Sequence, residues 1–231
     1  MPGARRETFA EQPRVADKKI CPICDKRRAE RYCPALGEKI CAIDCGTGRE
    51  VTIDCPNDCA YLIAAHRWEQ SHPKPIDDEE VPFPDVSFPP DLIRTQQVFL
   101  SGLGYAVLIY AADQRSLVDS DVFDAVQALA ETRRTLLSGI YFEKPPQAPV
   151  AAGLYAELAK FIEREKKHAA EHSELPALKD REIFQLLVFF LRFGRLRSNG
   201  RPRTRGFITF LRTLIPVEAG VAKEESRIIL P

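Results

Sequence analysis

No residue after Cys59 is a cysteine, although seven precede or occupy that position, all between Cys21 and Cys59. A residue type so confined marks a separate module. Long apolar runs are also missing: residues 98 to 112 are interrupted by Ser101, Gly102 and Gly104, and residues 183 to 193 by Gln185 and Arg192. Both fall short of the ~20 residues a spanning helix needs, so they are expected to be buried core helices, with no membrane span. The first twenty residues carry no apolar stretch of the secretory type, which points to a cytoplasmic location. Neither sign of charge prevails, with 33 Lys plus Arg against 33 Asp plus Glu. Binding to nucleic acid would therefore need a local patch. No phosphate-binding glycine loop, nucleophile elbow or dinucleotide fingerprint is found. The expectation is a protein that is not an enzyme, with no small-molecule substrate evident.

What is present divides the 231 residues into five segments. Residues 1 to 20 read as a flexible lead. Residues 21 to 70 read as the cysteine module, and residues 71 to 91 as an exposed linker with six prolines and an acidic run at 77 to 80. Residues 92 to 216 show helical apolar spacing throughout, and residues 217 to 231 read as a loose tail. The helical part is expected to be a bundle of about five helices: 92 to 112, then from Asp119 or Ser120 to the glycine at 139, 148 to 171, 181 to 193, and 204 to 214. Gly102 and Gly104 are placed either for close approach of another helix or for a bend. The fourth helix, apolar around most of its circumference, is expected to be central. The fold class is mainly α.

The cysteines are spaced as C-x2-C at Cys21 and Cys24, a single Cys33, C-x3-C at Cys41 and Cys45, and C-x3-C at Cys55 and Cys59, with His66 behind. Short paired spacings let one turn of backbone present two ligands to one ion, and zinc takes four in a tetrahedron. Seven thiols plus one imidazole make eight ligands, enough for two closed, structural Zn2+ sites. An odd cysteine count without a secretory signal disfavours disulfides. His66 stands either as the eighth ligand or as a histidine beside Trp68, because helical rise would put it about 10 Å from Cys59.

From Cys21 to Cys45 the pattern resembles the cross-brace zinc fingers of the B-box, MYND and HIT types. That resemblance implies a small treble-clef or cross-brace module in which ligand pairs alternate between two ions. It would put Cys21, Cys24, Cys41 and Cys45 on the first ion, and Cys33, Cys55, Cys59 and His66 on the second. The sequence departs from the B-box pattern at Leu36, where a ligand would stand, and in closing with Cys55 and Cys59 instead of two histidines.

Two further signals lie in the helical part. His168, Glu171 and His172 spell H-x-x-E-H, which resembles the motif of inverted zinc metallopeptidases. At a charged helix end the same histidines simply favour the negative end of the helix dipole. Residues 192 to 212 carry seven arginines and no acid, and residues 199 to 203 resemble the core of an AT-hook. Arg195, Arg197, Arg201, Arg203 and Arg205 are thus candidate nucleic-acid contacts; their plainer use is to satisfy helix ends and pair with the acidic linker. The combined expectation is a zinc-binding adaptor with a protein partner, the alternative being a nucleic-acid-binding regulator.

Overall fold

The computed structural model describes residues 19–72, 81–172 and 178–215. It is mainly helical, with one two-stranded sheet among the described residues, and it divides into two compact units, Met1–Cys59 and Ala60–Pro231.

In the first unit β1 (Arg31–Cys33) pairs antiparallel with β2 (Glu38–Ile40) in the register Arg31 to Ile40 and Cys33 to Glu38. Gly37, at φ 72, closes the connecting turn, where its amide and that of Leu36 both donate to the Cys33 carbonyl. A glycine suits that left-handed position because it has no Cβ to clash. Helix α1 (Ala42–Gly48) follows directly, with Cys41 as its N-cap. The core is small: Cys21, Ala29, Cys33, Ile40, Cys41 and Ile53. Half of these side chains are cysteines. A unit of about 40 residues with so little aliphatic burial normally needs a covalent or metal staple.

The second unit begins with α2 (Ala60–Ser71), a helix that the sequence reading placed in the cysteine module. Next come a single turn α3 (Leu92–Thr95) and the long helices α4 (Gln97–Asp113), α5 (Asp119–Leu137), α6 (Pro149–Glu171) and α7 (Asp180–Arg197), then α8 (Gly206–Leu214). Helix α5 packs against α6 and α7, while α4 lies against α6 and α8. The first expected helix is thus broken at Gln96. Of the two expectations for its glycines, close approach is present: a Cβ on Gly102 would lie 2.8 Å from Phe161, and one on Gly104 2.7 Å from Ile215. Helix α7 is buried along most of its length, through Ile183, Phe184, Leu186, Leu187, Val188, Phe190 and Leu191.

Two details differ from expectation. Helix α7 continues past residue 193 to Arg197, because Gly194 is used for packing against Phe123 and Phe207 and does not end the helix. Residues 81 to 91, expected to be an exposed linker, are in part laid onto the bundle. Phe83, Val86 and Phe88 are half-buried against the core, the Arg192 guanidinium donates to the carbonyls of Pro82 and Phe83, and Gln185 donates to the Ser87 carbonyl at 2.8 Å. Three apolar side chains among the prolines supply the reason. The acidic run at 77 to 80 and the tail beyond 215 lie outside the described residues. Among the described residues no helix is long and apolar enough to cross a membrane.

Candidate metal centre

All seven cysteines fall in the first unit, and all are free thiols. Cys21 opens a tight turn: its amide donates to the Arg27 carbonyl at 2.8 Å, and its own carbonyl accepts from the Asp25 amide at 2.9 Å. Asp25 takes a positive φ of 51 to complete that turn. The turn delivers Cys24 beside Cys21. From the other side, β2 delivers Cys41 to the mouth of α1, where its sulfur accepts the Asp44 amide at 3.3 Å. One helical turn then carries the Asp44 carboxylate back over Cys41.

The outcome is a group of four, Cys21, Cys24, Cys41 and Asp44, whose ligand atoms all lie within 4.8 Å of one another. Among the described residues it is the group that could hold a metal ion. Asp44 Oδ2 stands 3.1 Å from Cys21 Sγ and 3.0 Å from Cys41 Sγ. Hydrogen bonds from the thiols of Cys24, Cys41 and Cys21 hold the Asp44 carboxyl down to about 2, with Arg27 assisting. The Arg27 guanidinium lies 3.8 Å from Asp44 Oδ1 and is itself held more basic, chiefly by its hydrogen bond to Cys41. Burial pushes the Cys41 thiol up. At Cys21 burial acts in the same sense, but backbone amides from Cys41, Cys24 and Ile23 outweigh it, and the thiol is lowered. The arrangement gathers three sulfurs and one carboxylate around a shared point under a nearby cation.

The other expected ligands fall elsewhere. Cys45 is not of this group: its amide continues α1 to the Cys41 carbonyl, and its sulfur accepts from Arg31 at 3.8 Å. Cys33 is buried, with Cys45 and Cys55 packed against the same small core. Burial raises the Cys55 thiol, and charge on Cys59 and on Cys33 acts in the same direction. Cys55 and Cys59 sit on consecutive turns, their amides donating to Ile53 and Pro56. His66 belongs to the second unit, where it is buried in α2. Trp68 is exposed and stacks on His72, ring centroids 4.5 Å apart, so the expected neighbour of His66 is engaged with a different histidine.

Asp44 escaped sequence reasoning, which sought only thiols and imidazoles. The signal was there: Cys41-Ala42-Ile43-Asp44 repeats the spacing of Cys21-Pro22-Ile23-Cys24. The H-x-x-E-H residues lie at the end of α6, with the His168 and His172 rings 4.5 Å apart and Lys167 paired to Glu171 at 3.7 Å. They form no metal-holding group among the described residues.

The arginine segment is largely turned to internal use. Arg195 donates to Gln127, Arg205 to the carbonyls of Leu117 and Arg115, and Arg197 lies 4.5 Å over the Phe210 ring. Arg203 is exposed, and the Arg201 backbone is held in a turn by the Asn199 side chain. Compared with known protein families, with curated proteins and with solved structures, the chain matches none.

Proposed function

We propose that this chain is a non-enzymatic adaptor whose N-terminal finger is held by zinc and presents an apolar face to a protein partner. Three thiolates and a carboxylate suit zinc, and four protein ligands leave no open position for substrate or activated water. The ion's contribution is then to folding.

The observation that carries the recognition role is the exposure of isoleucine on both ligand loops. Ile23, between Cys21 and Cys24, is 49% exposed, and Ile43, between Cys41 and Asp44, is 52% exposed. Each stands one residue before the second ligand of its pair, Ile23 in the Cys21 turn and Ile43 in the first turn of α1, and the four-ligand group draws those two turns together. Ile20, Tyr32 and Leu36 are also largely exposed on this small module. Apolar side chains spent on a surface while the core goes short are the signature of a binding face.

The test is affinity capture with the full chain, comparing wild type, the Ile23→Asp/Ile43→Asp double variant and chelator-treated wild type. Partners should be retained by wild type alone, with zinc content unchanged in the double variant. Capture of the same proteins by all three would contradict the proposal. The nucleic-acid reading has less support, because Arg195, Arg197 and Arg205 are occupied within the bundle.

A further inference from the structure

We infer that a cavity between α5 and α6 in the helical unit binds a small organic carboxylate with an apolar, ring-sized body. The site is separate from the finger and does not depend on its metal. The cavity measures about 590 Å3, within the range of natural small-molecule sites. It is lined by α5, by the connection after that helix and by α6, all within the second unit.

Its apolar lining is made by Leu129, Ala159 and the rings of Tyr141 and Tyr155. Leu129 and Tyr155 are buried, whereas Tyr141 is 66% exposed although it lines the cavity. The end of α5 sets where Tyr141 stands. Gly139 takes a φ of 84, the Ile140 amide donates back to the Thr135 carbonyl, and Thr135 Oγ1 donates to the Phe142 carbonyl at 3.4 Å. A ring held beside a cavity yet left in water gains apolar burial when a ligand fills the space.

The polar lining selects the charge of that ligand. Both lining carboxylates are already engaged: Glu163 pairs with Arg133 at 2.7 Å, and Glu143 accepts from the Tyr141 hydroxyl. Lys160 pairs with Glu157 at 2.9 Å, but Arg164 has no ion pair or hydrogen bond of its side chain among the described residues. Arg133 is the buried cation, with its side chain 10% exposed. Its terminal nitrogens donate to Glu163 and, at 3.3 Å, to Asp180, while its Nε is buried without a partner among the described residues. The two carboxylates therefore leave part of this guanidinium unspent. Tyr155 is similarly under-used: its hydroxyl lies 3.4 Å from Thr132 Oγ1, whose own proton goes to the Ala128 carbonyl at 2.9 Å. A bond of that length is weak, and a carboxylate is the stronger acceptor. Arg133, Lys160 and Arg164 against Glu143 and Glu163 leave one positive charge in excess around the cavity. A single carboxylate balances it, whereas a phosphate dianion would overshoot it beside two acids.

The experiment is a methyl NMR titration of the zinc-loaded full chain with phenylacetate, cinnamate and indoleacetate, each compared with its primary amide. At least one acid should shift the Leu129, Thr132 and Ala159 methyls saturably and bind at least about tenfold more tightly than its amide. Arg164→Gln should weaken that acid by about twofold to fivefold and leave the amide unchanged. Ala159→Phe, which fills the cavity, should abolish both. The wild-type titration carries the test by itself should Ala159→Phe fail to fold. Equal affinity for acid and amide, saturable shifts confined to methyls elsewhere, or no saturable shift with any of these compounds at millimolar concentration would overturn the assignment.

Discussion

Asp44 is the residue on which the candidate metal centre turns. Its position, three residues after an N-capping cysteine, makes it look like an ordinary acidic residue in the first turn of a helix, where the dipole favours negative charge. For that reason the spacing of the cysteines was legible in the sequence and the fourth member of the group was not. If Asp44 holds the ion, Asp44→Asn should weaken zinc binding by well over about tenfold, the loss already common when a residue that merely orients a ligand is removed. Asp44→Cys, which restores a fourth sulfur, should bind at least as tightly as wild type. Competition with a chromophoric chelator measures both. Equal affinity in wild type and Asp44→Asn would show that the carboxylate serves only to accept from the thiols.

Among the helices, periodicity made the elements visible, and the exceptions have identifiable causes. Gly194 lies beyond the expected end of its helix, but α7 runs through it, the glycine lying close against Phe123 and Phe207. Asp119 or Ser120 was expected to cap α5; Val118 holds that place, with its amide bonded to Asp121. Asp119 is fully buried and instead caps α8, accepting from the amides of Phe207 at 2.9 Å and Ile208 at 3.2 Å and from Ser198 Oγ at 2.8 Å. No local pattern could announce a cap that acts 88 residues away. Asp119→Ala strands two buried helix-terminal donors, and urea denaturation should show a loss of about 2 to 4 kcal/mol. A loss under about 1 kcal/mol would mean that water reaches the start of α8 and that the carboxylate is dispensable.

For the whole molecule, composition shows where the cysteines are confined, and the structure divides between Cys59 and Ala60. The behaviour of residues 81 to 91 did not follow from composition, because prolines advertise a linker while Phe83 and Phe88 dock on Phe184 and Phe189. In the arginine segment, charge counted along a sequence does not reveal which guanidinium groups are spent on carbonyls and rings, as Arg205 is on Leu117 and Arg115 and Arg197 on Phe210. The central claim is that a unit whose core is half cysteine folds only around its metal. The most direct measurement is methyl NMR of the full chain before and after complete zinc removal by a chelator. The account predicts that the Ile40 and Ile53 methyls, buried in the finger, collapse to random-coil shifts while those of Leu187 and Ile208 in the helical unit stay dispersed. Finger methyls that keep their native shifts in verified metal-free protein would contradict it.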